Sequence, residues 1–144
     1  MHKCLPLKTK RLIIRQFRVE DAVAFYRWRD NATVARYTLW DYPYEMSEAE
    51  AFCIEQAGLT CFPSVDWCQL MIEEAATGEA IGDIGLGIRV DGNDTLTLGY
   101  SLHPDSWGKG VMYEALSELL PILTSALSVK KVKGIVDARN LASS

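Results

Sequence analysis

The chain has 144 residues, which fits one domain and leaves little room for a second. Hydrophobic residues make up 49% of it and charged residues 24%, the balance of a globular protein that buries a real core. The net charge of −4 excludes a general basic field for nucleic acid, and no apolar run resembles a membrane span or a signal peptide. We therefore expect a single cytoplasmic domain, residues 1–144, that binds neither nucleic acid nor membrane.

The cysteines are too dispersed to predict a metal centre. None of them belongs to a C-x-x-C pair: Cys4, Cys53, Cys61 and Cys68. His2 and His103 are the only histidines that can join them as ligands. Dispersed cysteines in a chain without a signal peptide are typical of reduced thiols, so we predict no metal site.

The N-terminal part predicts a strand and then a helix. Leu7 to Phe17 contains the run Leu12-Ile13-Ile14, whose β-branched residues favour a strand. Val19-Glu20-Asp21 opens a helix, because acidic side chains are favourable in a first helical turn. The apolar residues that follow have helical spacing and predict an amphipathic face.

An aromatic segment and a second helix follow. The segment Tyr37 to Tyr44 contains these aromatic residues: Tyr37, Trp40, Tyr42 and Tyr44. They are compatible with ordinary packing and with the wall of a substrate cleft. Ser47 and Glu50 form a capping-box pattern, which predicts a helix from about Glu48 to Leu59.

The middle of the chain predicts a meander of antiparallel strands. Its strands are Trp67 to Glu74, Ala80 to Arg89 and Thr95 to Leu102, separated by the turn signals Thr77-Gly78 and Asp91 to Asp94. Glycines inside the middle strand indicate a bulge or a close backbone approach: Gly82, Gly85 and Gly87.

The stretch from Tyr100 to Leu116 joins a strand end, a turn with Gly108 and Gly110, and a helix that begins near Val111. A helix start has backbone N–H groups without intrahelical partners and a partial positive charge. The amides from Trp107 to Met112 can therefore hold a pyrophosphate, since glycines let a ligand approach the backbone. An ordinary turn explains the same glycine pair when it is taken alone.

The C-terminal part predicts a helix, a strand and the start of another helix. The helix from Val111 runs towards Leu127, and Pro121 predicts a bend or an early end within it. Val132 to Asp137 is a short strand, and Arg139 to Ser144 begins a helix that Asn140 can cap. Helices interleaved with a mixed sheet predict an α+β (α/β layered) fold.

Four stretches in order carry a family resemblance: T-K-R-L-I-I-R-Q-F, I-G-D-I-G-L, L-G-Y-S-L-H-P-D-S-W-G-K-G-V-M-Y-E-A-L and A-R-N-L-A-S-S. Together they resemble the GNAT-fold N-acyltransferases, and specifically the Rim-type branch that acetylates N-terminal amines of ribosomal proteins and other amines. The resemblance implies a mixed, mostly antiparallel sheet flanked by helices, with acetyl-CoA as co-substrate. It implies transfer of the acetyl group to a primary amine by direct attack.

The resemblance also assigns roles to residues. In the family, the backbone of the strand matching Leu98 to Leu102 splays from its neighbour and pairs with the pantetheine arm, and the following turn holds the pyrophosphate. The cofactor-binding residues implied here are Leu102, Trp107, Gly108, Lys109, Gly110, Val111, Met112 and Asn140. Asp105 replaces the Gln or Arg that is common in the wider superfamily, a position that the Rim-type branch relaxes.

Direct attack requires positioning, a route for the amine proton and stabilisation of an oxyanion. Ser143 is, by resemblance, the acid that protonates the leaving thiolate, and the backbone N–H near Tyr100 or Leu102 can polarise the carbonyl. Tyr100 is the second catalytic candidate. No general base stands out. A structural role is the better interpretation for Asp83 and Glu114, and the place of His103 beside Pro104 in a turn favours an exposed or CoA-contacting role.

Family members usually continue well past the motif that Asn140 and Ser143 match, whereas the sequence ends at Ser144. The expectation is thus a GNAT domain with its final helix and strands incomplete. Two other functions remain open: an acyl-CoA-binding module with impaired catalysis, and a structural fragment completed by homo-oligomerisation.

Overall fold

The computed structural model describes residues 5–29, 45–58, 66–88, 92 and 94–134. Within them the chain forms a six-stranded sheet and three α-helices. The strands are β1 (Leu7–Lys8), β2 (Leu12–Gln16), β3 (Asp66–Glu74), β4 (Ala80–Ile88), β5 (Thr95–Leu102) and β6 (Lys131–Gly134). The helices are α1 (Ala22–Arg29), α2 (Met46–Ala57) and α3 (Val111–Leu127). None of the helices described is long and apolar enough to cross a membrane.

The strands lie in the sheet in the order in which they occur in the chain. Neighbouring strands are antiparallel from β1 to β5, and β6 is parallel to β5. The parallel pairing runs from Thr95 opposite Lys131 to Leu98 opposite Gly134. The last part of β5, from Gly99 to Leu102, pairs with β4 on its other side.

One face of the sheet packs against α3 through apolar side chains. In the strand register Ile14 lies opposite Ile72, and Gly82 lies opposite both Ile72 and Leu102. A Cβ at Gly82 would lie 2.5 Å from the side chain of Leu102, so the close approach of β4 and β5 requires glycine there. Helix α3 contributes its buried stripe to this core: Val111, Met112, Ala115, Leu119, Leu123 and Leu127.

The other face packs against α1 and α2. It includes a cross-strand row in which Arg15, Met71, Asp83 and Ser101 face one another in register. Aromatic rings from the first helices and the end of β2 fill the space above this row: Phe17, Phe25, Trp28 and Phe52. This face therefore combines an aromatic cluster with buried polar groups.

The predicted start of the second helix was wrong by two residues. The backbone of Glu45 is extended, and its carbonyl accepts hydrogen bonds from the amides of Glu48 and Ala49. Glu45 is thus the N-cap, and Ser47 already lies within the first helical turn, where it cannot cap the helix. Likewise, Val19–Asp21 forms a 3₁₀ turn that precedes α1, and the predicted first strand is divided into β1 and β2.

Of the two alternatives predicted at Pro121, the early end was wrong, because α3 continues to Leu127, and the bend stays a prediction. An interior proline costs about 3 kcal/mol. Leu123 and Leu127, beyond the proline, are buried against the sheet. Burial of a leucine side chain stabilises by about 1.5–3 kcal/mol, so these two side chains offset the cost.

Candidate active site

The turn before α3 has the conformation that its glycines predict. Gly108 has φ 74°, and Gly110, the N-cap of α3, has φ 72° and ψ 16°. Both angles lie in the left-handed region, which glycine adopts without steric cost and most other residues avoid. A 3₁₀ turn over Pro104–Ser106 connects β5 to this segment.

A row of backbone amides lies at the start of α3. The amides of Ser106 and Trp107 donate to the carbonyls of His103 and Pro104, and helical pairing resumes where Glu114 donates to the Gly110 carbonyl at 3.0 Å. Residues 107–110 form a turn, and none of the amides of residues 108–113 makes a close, well-aligned hydrogen bond to a residue that the structure describes. Such amides, together with the positive end of the helix dipole, suit a phosphate group.

Trp107 connects the turn to the strand end. Its indole Nε1 donates to the Leu102 carbonyl at 3.0 Å, and its amide donates to the Pro104 carbonyl at 3.0 Å. The amide of Trp107 is thus already occupied, and the row that can face a ligand begins at Gly108. The contact fixes the distance between β5 and the glycine turn.

A cleft of about 260 Å³ borders the turn on the side of α1. The residues that line it from the turn are His103, Asp105, Ser106 and Lys109, and those from α1 are Ala24, Arg27 and Trp28. Glu74 and Glu79 also line the cleft, so its charged side chains are of both signs. Lys109 itself is exposed, so its ammonium group is free to reach an anion in solution.

On its outer side the turn is held by residues that the sequence reasoning missed. Glu114 accepts hydrogen bonds from the Thr9 hydroxyl, from the Arg11 amide at 2.9 Å and from Arg11 Nε at 2.6 Å. Arg11 Nη2 also donates to the Lys109 carbonyl at 3.0 Å. Although burial alone would raise the pKa of Glu114, the bonds from Thr9 and Arg11 lower it.

Asp83, weighed as a possible base, lies in a buried polar network. It is 1% exposed and accepts hydrogen bonds from Trp28 Nε1 at 3.2 Å, from Gln69 Nε2 at 2.7 Å and from the Ser101 hydroxyl. Arg29 Nη2 lies 3.8 Å from the same carboxylate. These donors satisfy Asp83 within the fold, in agreement with a structural role.

The other residues that the sequence predicted for the site lie in the core, in the 3₁₀ turn or outside the described residues. Tyr100 is 8% exposed and belongs to the core beneath α3, and Leu102 is buried beside it. His103 Nδ1 accepts a hydrogen bond from the Asp105 amide at 3.1 Å, so this nitrogen caps the 3₁₀ turn. Asn140 and Ser143 lie outside the described residues, as does the aromatic segment 37–44. No group of metal-binding side chains occurs among the residues described.

The fifth strand of a mixed sheet thus leads through a glycine turn into a helix, an arrangement that is suited to binding a phosphate group. Residues 11–144 match the acetyltransferase (GNAT) domain family. The chain therefore belongs to the GNAT acetyltransferase family and is an enzyme of that type. This finding confirms the α+β fold that the sequence predicted.

Individual proteins are similar to this chain, one in sequence and two in fold. The chain is 30% identical over 139 residues to the uncharacterized N-acetyltransferase YoaA of Bacillus subtilis, a match that covers 95% of this chain and 76% of the relative. The ribosomal-protein-S5-alanine acetyltransferase of Vibrio fischeri has a similar fold, with TM-score 0.75, 16% identity, and 95% and 76% of the two chains covered. The microcin C7 self immunity acetyltransferase MccE, solved with acetyl-CoA and AMP, gives TM-score 0.72, 18% identity, and coverage of 90% and 73%.

Proposed function

We propose that this protein transfers an acetyl group from acetyl-CoA to a primary amine by direct attack. GNAT acetyltransferases use acetyl-CoA, so the co-substrate follows from the family. The single observation that carries the proposal for this chain is the glycine turn at the start of α3, where none of the amides of residues 108–113 makes a close, well-aligned hydrogen bond to a described residue. This row begins immediately after the turn that Trp107 attaches to the end of β5.

In this proposal the turn binds the pyrophosphate. The donors are the amides of Gly108, Lys109, Gly110, Val111 and Met112, and the Lys109 side chain adds a positive charge. The backbone of β5 near Leu102 receives the pantetheine arm. Asn140 is proposed as a further contact.

The reaction needs no metal. The amine nitrogen attacks the acetyl carbon, so a C–N bond forms, the C–S bond breaks and the sulfur carries the electron pair away. The backbone N–H near Tyr100 or Leu102 polarises the carbonyl, and Ser143 supplies a proton to the thiolate. Tyr100 stays the second proposed catalytic residue. The proton that the amine loses passes to water or to a base that we do not assign.

The proposed acceptor is the N-terminal amine of a protein or the amine of a small molecule. The first alternative is supported by the fold likeness to a ribosomal-protein acetyltransferase, and the Rim-type resemblance of the W-G-K-G turn agrees with it. Turnover with peptides that present different N-terminal residues, compared with polyamines and amino acids, separates the two acceptor classes. The readout is release of the free CoA thiol.

Gly110→Val tests the binding site. A β-branched residue is strained at φ 72° and crowds the pyrophosphate. We expect acetyl-CoA affinity, measured by calorimetry, to fall at least about tenfold, which corresponds to about 1.4 kcal/mol. Gly78→Val is the matched control, because Gly78 has φ 76° in the turn between β3 and β4, where a Cβ would meet nothing within 4 Å.

Three outcomes separate the possible functions. Binding with turnover supports the transferase. Binding without turnover over the whole acceptor panel favours the acyl-CoA-binding module. If the wild-type protein does not bind acetyl-CoA, the proposed function is wrong, and the structural fragment completed by oligomerisation becomes the better hypothesis.

A further inference from the structure

Arg11 makes contacts on two sides of the glycine turn. Its Nη2 donates to the Lys109 carbonyl at 3.0 Å, while its Nε and its backbone amide donate to Glu114, in the first turn of α3. Arg11 lies between β1 and β2, so these bonds join segments separated by 98 and 103 positions. The hydroxyl of Thr9 donates to the same carboxylate.

The bond to Lys109 controls the direction of one amide in the row. A trans peptide is planar, so the carbonyl of Lys109 and the N–H of Gly110 point in opposite directions. Because Arg11 holds the carbonyl on the outer side of the turn, the N–H of Gly110 points away from Arg11. This peptide rotates about ψ of Lys109 and φ of Gly110, and the glycine at 110, with φ 72°, would let it rotate easily in the absence of such a contact.

We propose that Arg11, oriented by Glu114 and Thr9, is a positioning residue that directs the Gly110 amide towards the pyrophosphate of acetyl-CoA. This inference rests on the proposed function, since it assumes that the turn binds that group. Arg11 acts through the Lys109 peptide. An amide that is already oriented in the free protein loses less conformational freedom when acetyl-CoA binds. The loss of Arg11 should therefore appear as a weaker affinity for acetyl-CoA.

Glu114 separates this inference from simple charge attraction. A carboxylate near a pyrophosphate repels it, so its removal should strengthen binding if charge alone matters. In the positioning explanation Glu114 holds the guanidinium by an ion pair with Nε and Oε1 2.6 Å apart, so its removal should weaken binding. The two explanations therefore predict opposite signs for one substitution.

The test uses acetyl-CoA dissociation constants for the full chain and its variants, measured where circular dichroism shows each variant to be folded. We expect Arg11→Gln to weaken binding about tenfold, since a charge-assisted bond is lost. Arg11→Lys should weaken it similarly, because an ammonium group cannot bridge Glu114 and Lys109 as the guanidinium fork does. Glu114→Gln should weaken it about threefold, because the new amide N–H₂ faces other donors.

Two control variants each remove one charge, a positive one or a negative one, at a position that makes no contact described here with the glycine turn. Arg18→Gln removes an arginine that is 60% exposed, and Glu118→Gln removes an exposed carboxylate of α3. Both should stay within about twofold of the wild type, as expected for screened surface charges. As a further readout, acetyl-pantetheine lacks the pyrophosphate, so its kcat/KM should not change in the Arg11 variants.

The results decide between the explanations. Tighter binding by Glu114→Gln, or wild-type affinity in Arg11→Lys, overturns the positioning role. Equal losses for acetyl-CoA and acetyl-pantetheine also overturn it, because they indicate general damage to the site. If the wild-type chain does not bind acetyl-CoA, the proposed function is wrong, and this inference is wrong with it.

Discussion

The two faces of the sheet are built from different chemistry. The face against α3 is apolar throughout its buried cluster, and α3 adds only apolar side chains to it. The face against α1 and α2 includes the buried charges of Arg15 and Asp83 in one cross-strand row. Arg15 pairs through its two terminal nitrogens with Asp21, each at 2.9 Å, and through Nε with Glu73 at 2.8 Å.

The difference teaches how each helix is held. Apolar burial holds α3 against the sheet, but the hydrophobic effect has no directional preference. The precise position of the first turn of α3 therefore depends on separate contacts, such as that of Arg11 with Glu114. Helix α1 is held by directional bonds, of which Trp28 with Asp83 is one. A buried carboxylate is tolerated only when donors satisfy it, so this second face should be more sensitive to the loss of a single group.

The largest expected effect is the substitution Asp83→Ala. It leaves the donors of Trp28, Gln69 and Ser101 without this acceptor and removes one partner of Arg29, at 3.8 Å. Breaking a buried charge pair in this way costs about 3–5 kcal/mol. Urea unfolding followed by tryptophan fluorescence measures the loss. A free energy of unfolding within about 1 kcal/mol of the wild type would show that the network contributes little to stability.

Leu119→Ala measures the other face. Leu119 belongs to the buried stripe of α3, and truncation of a buried leucine costs about 2–5 kcal/mol, depending on how far the cavity closes. We expect a loss of about 3 kcal/mol, smaller than that of Asp83→Ala. The exposed neighbour Glu118→Ala should change the free energy of unfolding by less than about 0.5 kcal/mol. A larger loss at Leu119 than at Asp83 would reverse the comparison between the faces.

The apolar face was largely predictable from the sequence. The bounds of β5 and the start of α3 at Val111 agree with the structure, because alternation of turn signals and a helical apolar stripe both act locally. The glycine turn was predictable for the same reason, since Gly108 and Gly110 adjoin the helix in sequence. The error at Pro121 arose because a proline inside a helix is locally unfavourable. Burial of Leu123 against the sheet, a tertiary contact, offsets that cost.

The polar contacts were not predictable, because their partners come from distant elements. Asp83 meets Trp28, which is 55 positions away in sequence, and Glu114 meets Arg11 across 103 positions. A single sequence shows each of these residues as an isolated polar side chain. For Glu114 the helix-face interpretation gave no reason to expect a role, whereas the structure places it against the loop between β1 and β2.

The reactivity of the Cys53 thiol measures how well the face against α1 and α2 excludes solvent. Burial raises the pKa of Cys53 in α2 to about 12, and the negative charges of Asp21 and Asp83 add to the effect. Since the thiolate is the reactive form, we expect no alkylation of Cys53 at pH 8 in the native protein and rapid alkylation in urea. Site-resolved mass spectrometry after iodoacetamide treatment gives the result. Labelling of native Cys53 at the rate of the unfolded chain would mean that α2 opens readily.

The smallest expected effect concerns pH and Glu114. Its pKa in the folded protein is lowered from 4.5, despite burial that would raise it, by hydrogen bonds from Thr9 and Arg11. A lowered carboxyl pKa contributes stability that is present above the unfolded value and is lost as the pH falls through the folded value. The difference in free energy of unfolding between the wild type and Glu114→Gln should therefore be constant above about pH 5 and shrink below pH 4.5. Urea titrations from pH 7 to about pH 3 measure it. A difference that stays constant to the lowest pH would show that the bonds from Thr9 and Arg11 do not favour the ionised carboxylate in solution, and the hold on the start of α3 would then depend on burial alone, as it does for the rest of that helix.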